Sequence, residues 1–160
     1  MKQMVQPKRL VRPDIHSLVP HSGPMSLLGR FLEADDETLS AEVDITPESM
    51  FCADGQVGAW VGVEYMAQAV AAHAGWCARR RGEPVRVGFL LGARKYACTV
   101  PAFPVGSVLR IHVRRALQGE NGLGAFDCRI EDAAGQELAT ATITVFQPDH
   151  VEEFLQRSSV

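Results

Sequence analysis

The sequence predicts an α+β domain in which one long hydrophobic helix is covered by a curved antiparallel sheet. The helix is predicted by a run of mostly apolar residues at 60–80, because a helix that is apolar on most of its faces belongs in the interior. The sheet is predicted by segments in which apolar and polar residues alternate, which is typical of strands with one covered face. These segments are residues 38–45, 107–116, 124–131 and 139–146.

The predicted helix contains one carboxylate, Glu64, close to its start. Burying an unpaired carboxylate is costly, so Glu64 must be neutralised, paired or placed at a wet cleft. Each of these options makes it the first candidate for a functional residue. The end of the helix is indicated by Arg79, Arg80 and Arg81, which suit the negative end of the helix dipole, and by Gly82 as a C-cap.

Four further segments connect these elements. Residues 15–28 mix prolines with apolar residues, which favours an irregular turn followed by a short helix. Residues 46–57 and 101–107 are expected as loops, and the first of them contains an Asp-Gly pair. Residues 85–100 are expected as a strand that is bulged at one of its glycines.

We expect residues 1–160 to form a single domain, with residues 1–14 as a loose N-terminal arm and residues 148–160 as a C-terminal tail. One helix cannot shield the whole sheet and an edge strand invites pairing, so a dimer is the default expectation. The net charge of -3 and the pI near 5.9 argue against a dedicated nucleic-acid binder, which needs a concentrated basic face.

The N-terminal residues, the long apolar run and the cysteines give expectations about cellular location and cofactors. The N-terminal residues include no apolar run of signal-peptide length, so a cytoplasmic protein is expected. Polar side chains interrupt the long apolar run, which favours a core helix over a membrane span. The cysteines Cys52, Cys77, Cys98 and Cys128 are widely spaced, so we expect reduced thiols, no metal site and no cofactor.

Three segments resemble those of a known family: residues 18–28, LVPHSGPMSLL; residues 63–71, VEYMAQAVA; and residues 88–113, GFLLGARKYACTVPAFPVGSVLRIHV. In this order and spacing they resemble the hot-dog fold 3-hydroxyacyl-[acyl-carrier-protein] dehydratases of bacterial fatty-acid synthesis. The resemblance runs from Leu18 to about Val145, and it is strongest to the divergent dehydratase-like members encoded with aryl-polyene biosynthesis.

The resemblance implies a hot-dog fold, in which the sheet wraps the central helix, and the dehydration of 3-hydroxyacyl thioesters to trans-2-enoyl products. It implies an acyl carrier protein as partner and, in some members, a second hot-dog subunit, so a homodimer and a heterodimer both stay open. A basic patch would suit docking of the acidic carrier, although solvated positions account for the same residues equally well. The patch consists of Arg79, Arg80, Arg81, Arg86, Arg94 and Lys95.

One motif of the resembled enzymes is missing. They carry a Gly-His-Phe-Pro motif before the helix, whose histidine is the general base. The corresponding residues here, 49–60, read SMFCADGQVGAW and contain no histidine. Met50 stands near the position of that histidine when residues are counted back from Glu64, so the role of base is carried over to no residue of this segment.

The resemblance assigns Glu64 the role of the acid that protonates the leaving hydroxyl. Gln68 lies four residues later, on nearly the same helix face, and can orient that carboxyl group; the alternative is a buried amide that caps a neighbouring strand. The backbone N–H groups of Val57, Gly58 and Ala59 are expected at the start of the helix, where they would bind the thioester carbonyl oxygen.

Two histidines are candidates for the missing base. His73 lies nine residues after Glu64, which places it on roughly the opposite face of the helix, so we do not expect the two to share a site within one subunit. His21 is the better candidate, because the resembled family packs its segment near the helix and the acyl tunnel. A purely structural role for His21 stays open.

Three functions follow from these residues. The first is dehydration, with Glu64 as acid and His21 as base. The second is a catalytically silent hot-dog subunit that partners an active dehydratase, which the missing histidine motif suggests. The third is an acyl thioesterase, in which Glu64 or Asp54 would activate water.

Overall fold

A computed structural model describes residues 12–19, 26–84, 88–119 and 121–147. One helix, α1, spans Gly62–Arg80 and follows directly on a 3-10 turn, Ala59–Val61. The strands are β1 Arg30–Ala34, β2 Thr38–Asp44, β3 Cys52–Ala53, β4 Gln56–Gly58, β5 Phe89–Cys98, β6 Ala102–Pro104, β7 Val108–Gln118, β8 Leu123–Glu131 and β9 Glu137–Phe146.

Two sheets organise these strands. The larger has six antiparallel strands in the order β1-β2-β7-β8-β9-β5, so β1 and β5 are its edges. The smaller has the order β3-β4-β6 and leads directly into α1. The predicted α+β class and the hot-dog arrangement of one helix packed against a large antiparallel sheet are confirmed.

The core lies between α1 and the larger sheet. On the helix side it contains Met66 and Ala69, which are fully buried. On the sheet side the alternating residues face inward, as they must when one face is covered. The predicted inward residues Leu39, Ala41 and Val43 of β2 are at most 3% exposed.

Some short strands were not predicted. Strand β1 lacks a sustained alternation, and β3, β4 and β6 lie in segments expected as loops. The first of these loops is a hairpin whose turn is Asp54-Gly55, with φ values of 55° and 74°. Such a two-residue turn with two positive φ values fits a tight hairpin. Strands of two or three residues are too short for any periodic pattern to show.

Other expectations fall partly outside the described residues. The expected arm and tail overlap residues 1–11 and 148–160, and His21 and Arg86 also lie outside the description. The start of the segment 15–28 is a 3-10 helix, Ile15–Ser17. Within the described part of the chain, no helix has the length and apolar character that a membrane crossing requires, and no group of three metal-binding side chains occurs.

Candidate active site

The carboxyl group of Glu64 is held by the amide of Gln68. Glu64 lies in the first turn of α1 and is half-buried, whereas Gln68 is completely buried. The backbone N–H of Leu27 donates to Gln68 Oε1 at 2.8 Å, and Gln68 Nε2 donates to Glu64 Oε1 at 3.1 Å. Because Leu27 fixes which end of the amide accepts, the NH₂ group is turned towards Glu64. Gln68 therefore orients the Glu64 carboxyl group, while its other end binds the irregular segment before β1 and caps no strand.

A groove of about 380 Å³ runs along α1 from Glu64. Its helix wall carries alanines, which leave space between the helix and the ends of strands β7, β8 and β9. Its sheet wall combines apolar side chains with the polar Arg115, Gln118 and Gln147, so the groove could take a chain that carries both apolar and polar groups. The walls include Ala67, Ala71, Ala74, Leu123, Phe126 and Val145.

His73 also lines this groove, but on roughly the opposite side of the helix from Glu64. The groove follows the curved sheet around the helix, so residues on different faces of α1 contribute to it. Nine residues of α-helix span about 13.5 Å, which keeps His73 out of hydrogen-bond reach of Glu64. His73 is fully buried, its Nε2 donates to the carbonyl of Asp35 at 3.0 Å, and burial lowers its pKa. It is a neutral core histidine that does not contact Glu64.

The backbone N–H groups of the three residues predicted as donors point in different directions. Val57 and Gly58 lie in β4, where they pair with Phe103 and Ala102 of β6, and the N–H of Ala59 donates to the Pro101 carbonyl at 3.0 Å. Ala59 is therefore not an open donor. N–H groups alternate in direction along a strand, so Val57 points towards β6 as Ala59 does, and Gly58 points away from it. The N–H of Gly58 is therefore on the β3 side of β4, and its binding of the thioester oxygen stays a prediction.

Aromatic side chains stand beside Gly58. Trp60 is 65% exposed, and its ring contacts that of Phe51 with centroids 5.1 Å apart. A Cβ atom at position 58 would lie 2.7 Å from Cδ1 of Trp60, so glycine is needed for this packing. Asp54, the alternative base of a thioesterase, occupies the hairpin turn, and that turn explains its residue type.

His21 lies outside the described residues, but the chain on both sides of it is tied to α1. Before it, the backbone of Leu18 packs directly on Gly75; after it, Leu27 bonds to Gln68. The arginines at the end of α1 are exposed and have intramolecular partners: Arg79 bonds to Ser17, Arg80 to Asp36 and Arg81 to Glu83. Docking of an acidic carrier at this patch stays a prediction.

Comparisons with known proteins agree with this geometry. Residues 13–156 match the ApeP-like family, described as ApeP dehydratase. The structure of the dehydratase heterocomplex ApeI:P from Xenorhabdus doucetiae contains a chain with 31% identity and a TM-score of 0.84, and the match covers 95% of this chain and 100% of that one.

More distant structures share the fold alone. A hypothetical thioesterase from Streptococcus pneumoniae, solved with coenzyme A, has 16% identity and a TM-score of 0.58, over 74% of this chain and 86% of that one. The PaaI protein of the Escherichia coli phenylacetic acid degradation operon has 14% identity and a TM-score of 0.57, over 73% and 81%. No curated protein matches the sequence. The match over residues 13–156 and the 31% identity show that the chain belongs to the ApeP-like dehydratase family.

Proposed function

We propose that this chain takes part in the dehydration of 3-hydroxyacyl thioesters on an acyl carrier protein, giving trans-2-enoyl products. The observation that carries the proposal is the Glu64 carboxyl group, which a buried glutamine orients at one end of a groove whose helix wall is lined by alanines. Membership of a dehydratase family supports the reaction type. The acyl chain would lie along the alanines of α1, and an aryl-polyene precursor is the substrate that the resemblance favours.

The reaction needs three groups. A base removes the proton from C2, and the electron pair left there forms the C2–C3 double bond. Glu64, as the acid, gives its proton to the hydroxyl on C3, which leaves as water. The N–H of Gly58 binds the thioester oxygen, where negative charge develops. Gln68 keeps the carboxyl group of Glu64 directed at the leaving hydroxyl.

The base has to come from elsewhere than the described core of this chain. Among the described histidines, His73 lies about 13.5 Å along α1 from Glu64, and its Nε2 donates to the carbonyl of Asp35. Two sources are left: His21, and a histidine of a second hot-dog subunit. The second source is supported by the heterocomplex that contains the similar chain, and by strands β1 and β5, which are edges of the sheet within the described residues.

The test uses this chain purified with a histidine-bearing hot-dog subunit and a 3-hydroxyacyl carrier protein, with products identified by mass spectrometry. Glu64→Gln should lower the rate at least 100-fold, because the variant has no proton to give. Glu48→Gln, at an exposed loop carboxylate, is the matched control and should keep full activity. His21→Gln then assigns the base: a comparable loss places it in this chain, and full activity places it in the partner.

A silent subunit is the second candidate, because the segment before α1 has no histidine. In that case the complex stays active with Glu64→Gln, and the partner alone is unstable or inactive. Release of free acid from an acyl thioester, without any enoyl product, would instead indicate a thioesterase. Either result contradicts the proposal that Glu64 is the acid of a dehydratase.

A further inference from the structure

Tyr96 reaches from the edge strand β5 to the start of the helix. Its hydroxyl donates to the carbonyl oxygen of Ala59, the residue after Gly58. The N–H of Ala59 is bound from the other side by the Pro101 carbonyl at 3.0 Å. Burial raises the pKa of the Tyr96 hydroxyl, which therefore keeps its proton and can donate. Ala59 is thus held through both its N–H and its C=O.

A bulge in β5 turns Tyr96 towards the core. Before the bulge Ala93 stands opposite Ile143, and after it Cys98 stands opposite Ala139; Ile143 and Ala139 are both buried. Residues that stand opposite each other in a sheet point to the same face. The residues of β5 on the core face are therefore odd-numbered before the bulge and even-numbered after it, and the change falls between 94 and 97. Without the extra residue Tyr96 would face outward.

Gly62 provides the space for this contact. A Cβ atom at position 62 would overlap the Tyr96 hydroxyl oxygen and lie 3.0 Å from Cδ1 of Ile130. Any residue but glycine would therefore push the tyrosine away from Ala59. The bulge and the glycine thus allow the Tyr96 hydroxyl to connect the edge strand β5 to the turn that precedes α1.

We infer that Tyr96 is a positioning residue, which fixes the turn at Ala59 so that the neighbouring Gly58 N–H is held in place for the thioester oxygen. The inference rests on the proposed function. A fixed donor is effective because no reorganisation is needed when charge develops on the oxygen. A donor in a mobile turn would still allow the substrate to bind but would stabilise the transition state less, so kcat should depend on Tyr96 more than KM does.

The first experiment compares the two tyrosines of the chain in the active complex. Tyr96→Phe keeps the ring and removes only the hydroxyl; we expect kcat to fall about tenfold, with KM within about twofold. Tyr65→Phe is the control, because its ring is also buried but its hydroxyl makes no hydrogen bond with a described residue. An unchanged kcat in Tyr96→Phe would overturn the inference.

Gly62 supplies a double-mutant test. Gly62→Ala should lower kcat in the wild-type background by displacing the hydroxyl. In the Tyr96→Phe background the overlapping oxygen is absent. The fold decrease in kcat that Gly62→Ala causes there should be less than half of the fold decrease that it causes in the wild-type background. Equal effects in both backgrounds would show that the two residues act independently, which contradicts a positioning role for the Tyr96–Ala59 hydrogen bond.

A third measurement does not depend on activity. The chain has two tryptophans, so a Trp76→Phe background leaves Trp60, within the turn itself, as the only one. Tyr96→Phe should then lower the fluorescence anisotropy of Trp60, because the turn loses an anchor. If the anisotropy of Trp60 is unchanged in Tyr96→Phe, the inference that Tyr96 fixes the turn is overturned, whether or not the complex is active. An inactive wild-type complex with a responsive Trp60 would instead count against the proposed function alone.

Discussion

Replacing Gln68 with methionine should weaken both the fold and the proposed reaction. The side chain is fully buried; it accepts a hydrogen bond from the Leu27 N–H at 2.8 Å and donates one to Glu64 at 3.1 Å. Methionine has a similar volume, but its thioether is a weak acceptor and cannot donate. The substitution therefore removes the polar contacts while largely keeping the packing.

The size of the effect follows from these two bonds. A buried N–H that loses its acceptor costs about 1–3 kcal/mol, so the free energy of unfolding should fall by about 2 kcal/mol. For a domain of this size that lowers Tm by about 4–8 °C. The carboxyl group of Glu64 loses the donor that orients it, and a loss of about 1.4–2.8 kcal/mol in the transition state corresponds to a 10- to 100-fold lower kcat.

Thermal unfolding followed by circular dichroism and enoyl formation by the complex measure the two effects. Gln136→Met, at an exposed turn, is the matched control and should leave both unchanged. Gln68→Glu offers Leu27 an oxygen but has no amide donor for Glu64, so its kcat should fall as in Gln68→Met. A Gln68→Met variant with wild-type Tm and kcat would refute the reasoning.

Two further predictions concern stability. Gly75→Ala should lower the free energy of unfolding by about 1–3 kcal/mol in urea titrations, because the new Cβ would overlap the Leu18 carbonyl, whereas Gly92→Ala, in open space, should be near neutral. Burial lowers the pKa of His73, so below about pH 6.5 the unfolded chain takes up a proton that the folded chain does not. Between pH 6.5 and 5 the free energy of unfolding of the wild type should therefore fall more steeply than that of His73→Gln, by up to about 1.4 kcal/mol per pH unit. Equal pH dependence of the two proteins would contradict this assignment.

The helix and the long strands could be predicted because their patterns are local. The apolar run ending at Arg80 and the inward residues of β2 and β7 lie where periodicity placed them. Glu64 and Gln68 could be paired from their spacing alone, since four residues make one helical turn. Contacts within one element depend only on its geometry.

The remaining features depend on contacts between elements that are distant in sequence. The amide of Ala59 was expected to be open, but it is occupied by Pro101, which β6 brings alongside β4. His73 shares the groove with Glu64 because the curved sheet, rather than the helix alone, defines that groove. Tyr96 faces the helix because of a bulge that no alternation of residues in β5 indicates.

The sequence by itself therefore determined the fold class, the position of the carboxyl group and its glutamine support, because helical and strand periodicity are properties of the chain. The tertiary structure decided which backbone amides pair with β6 and which side chains lie beside them. These depend on strand register and bulges, where one inserted residue reverses the face of every residue that follows. Ala59 is occupied and Gly58 points away from β6 only because β6 lies alongside β4 in this register.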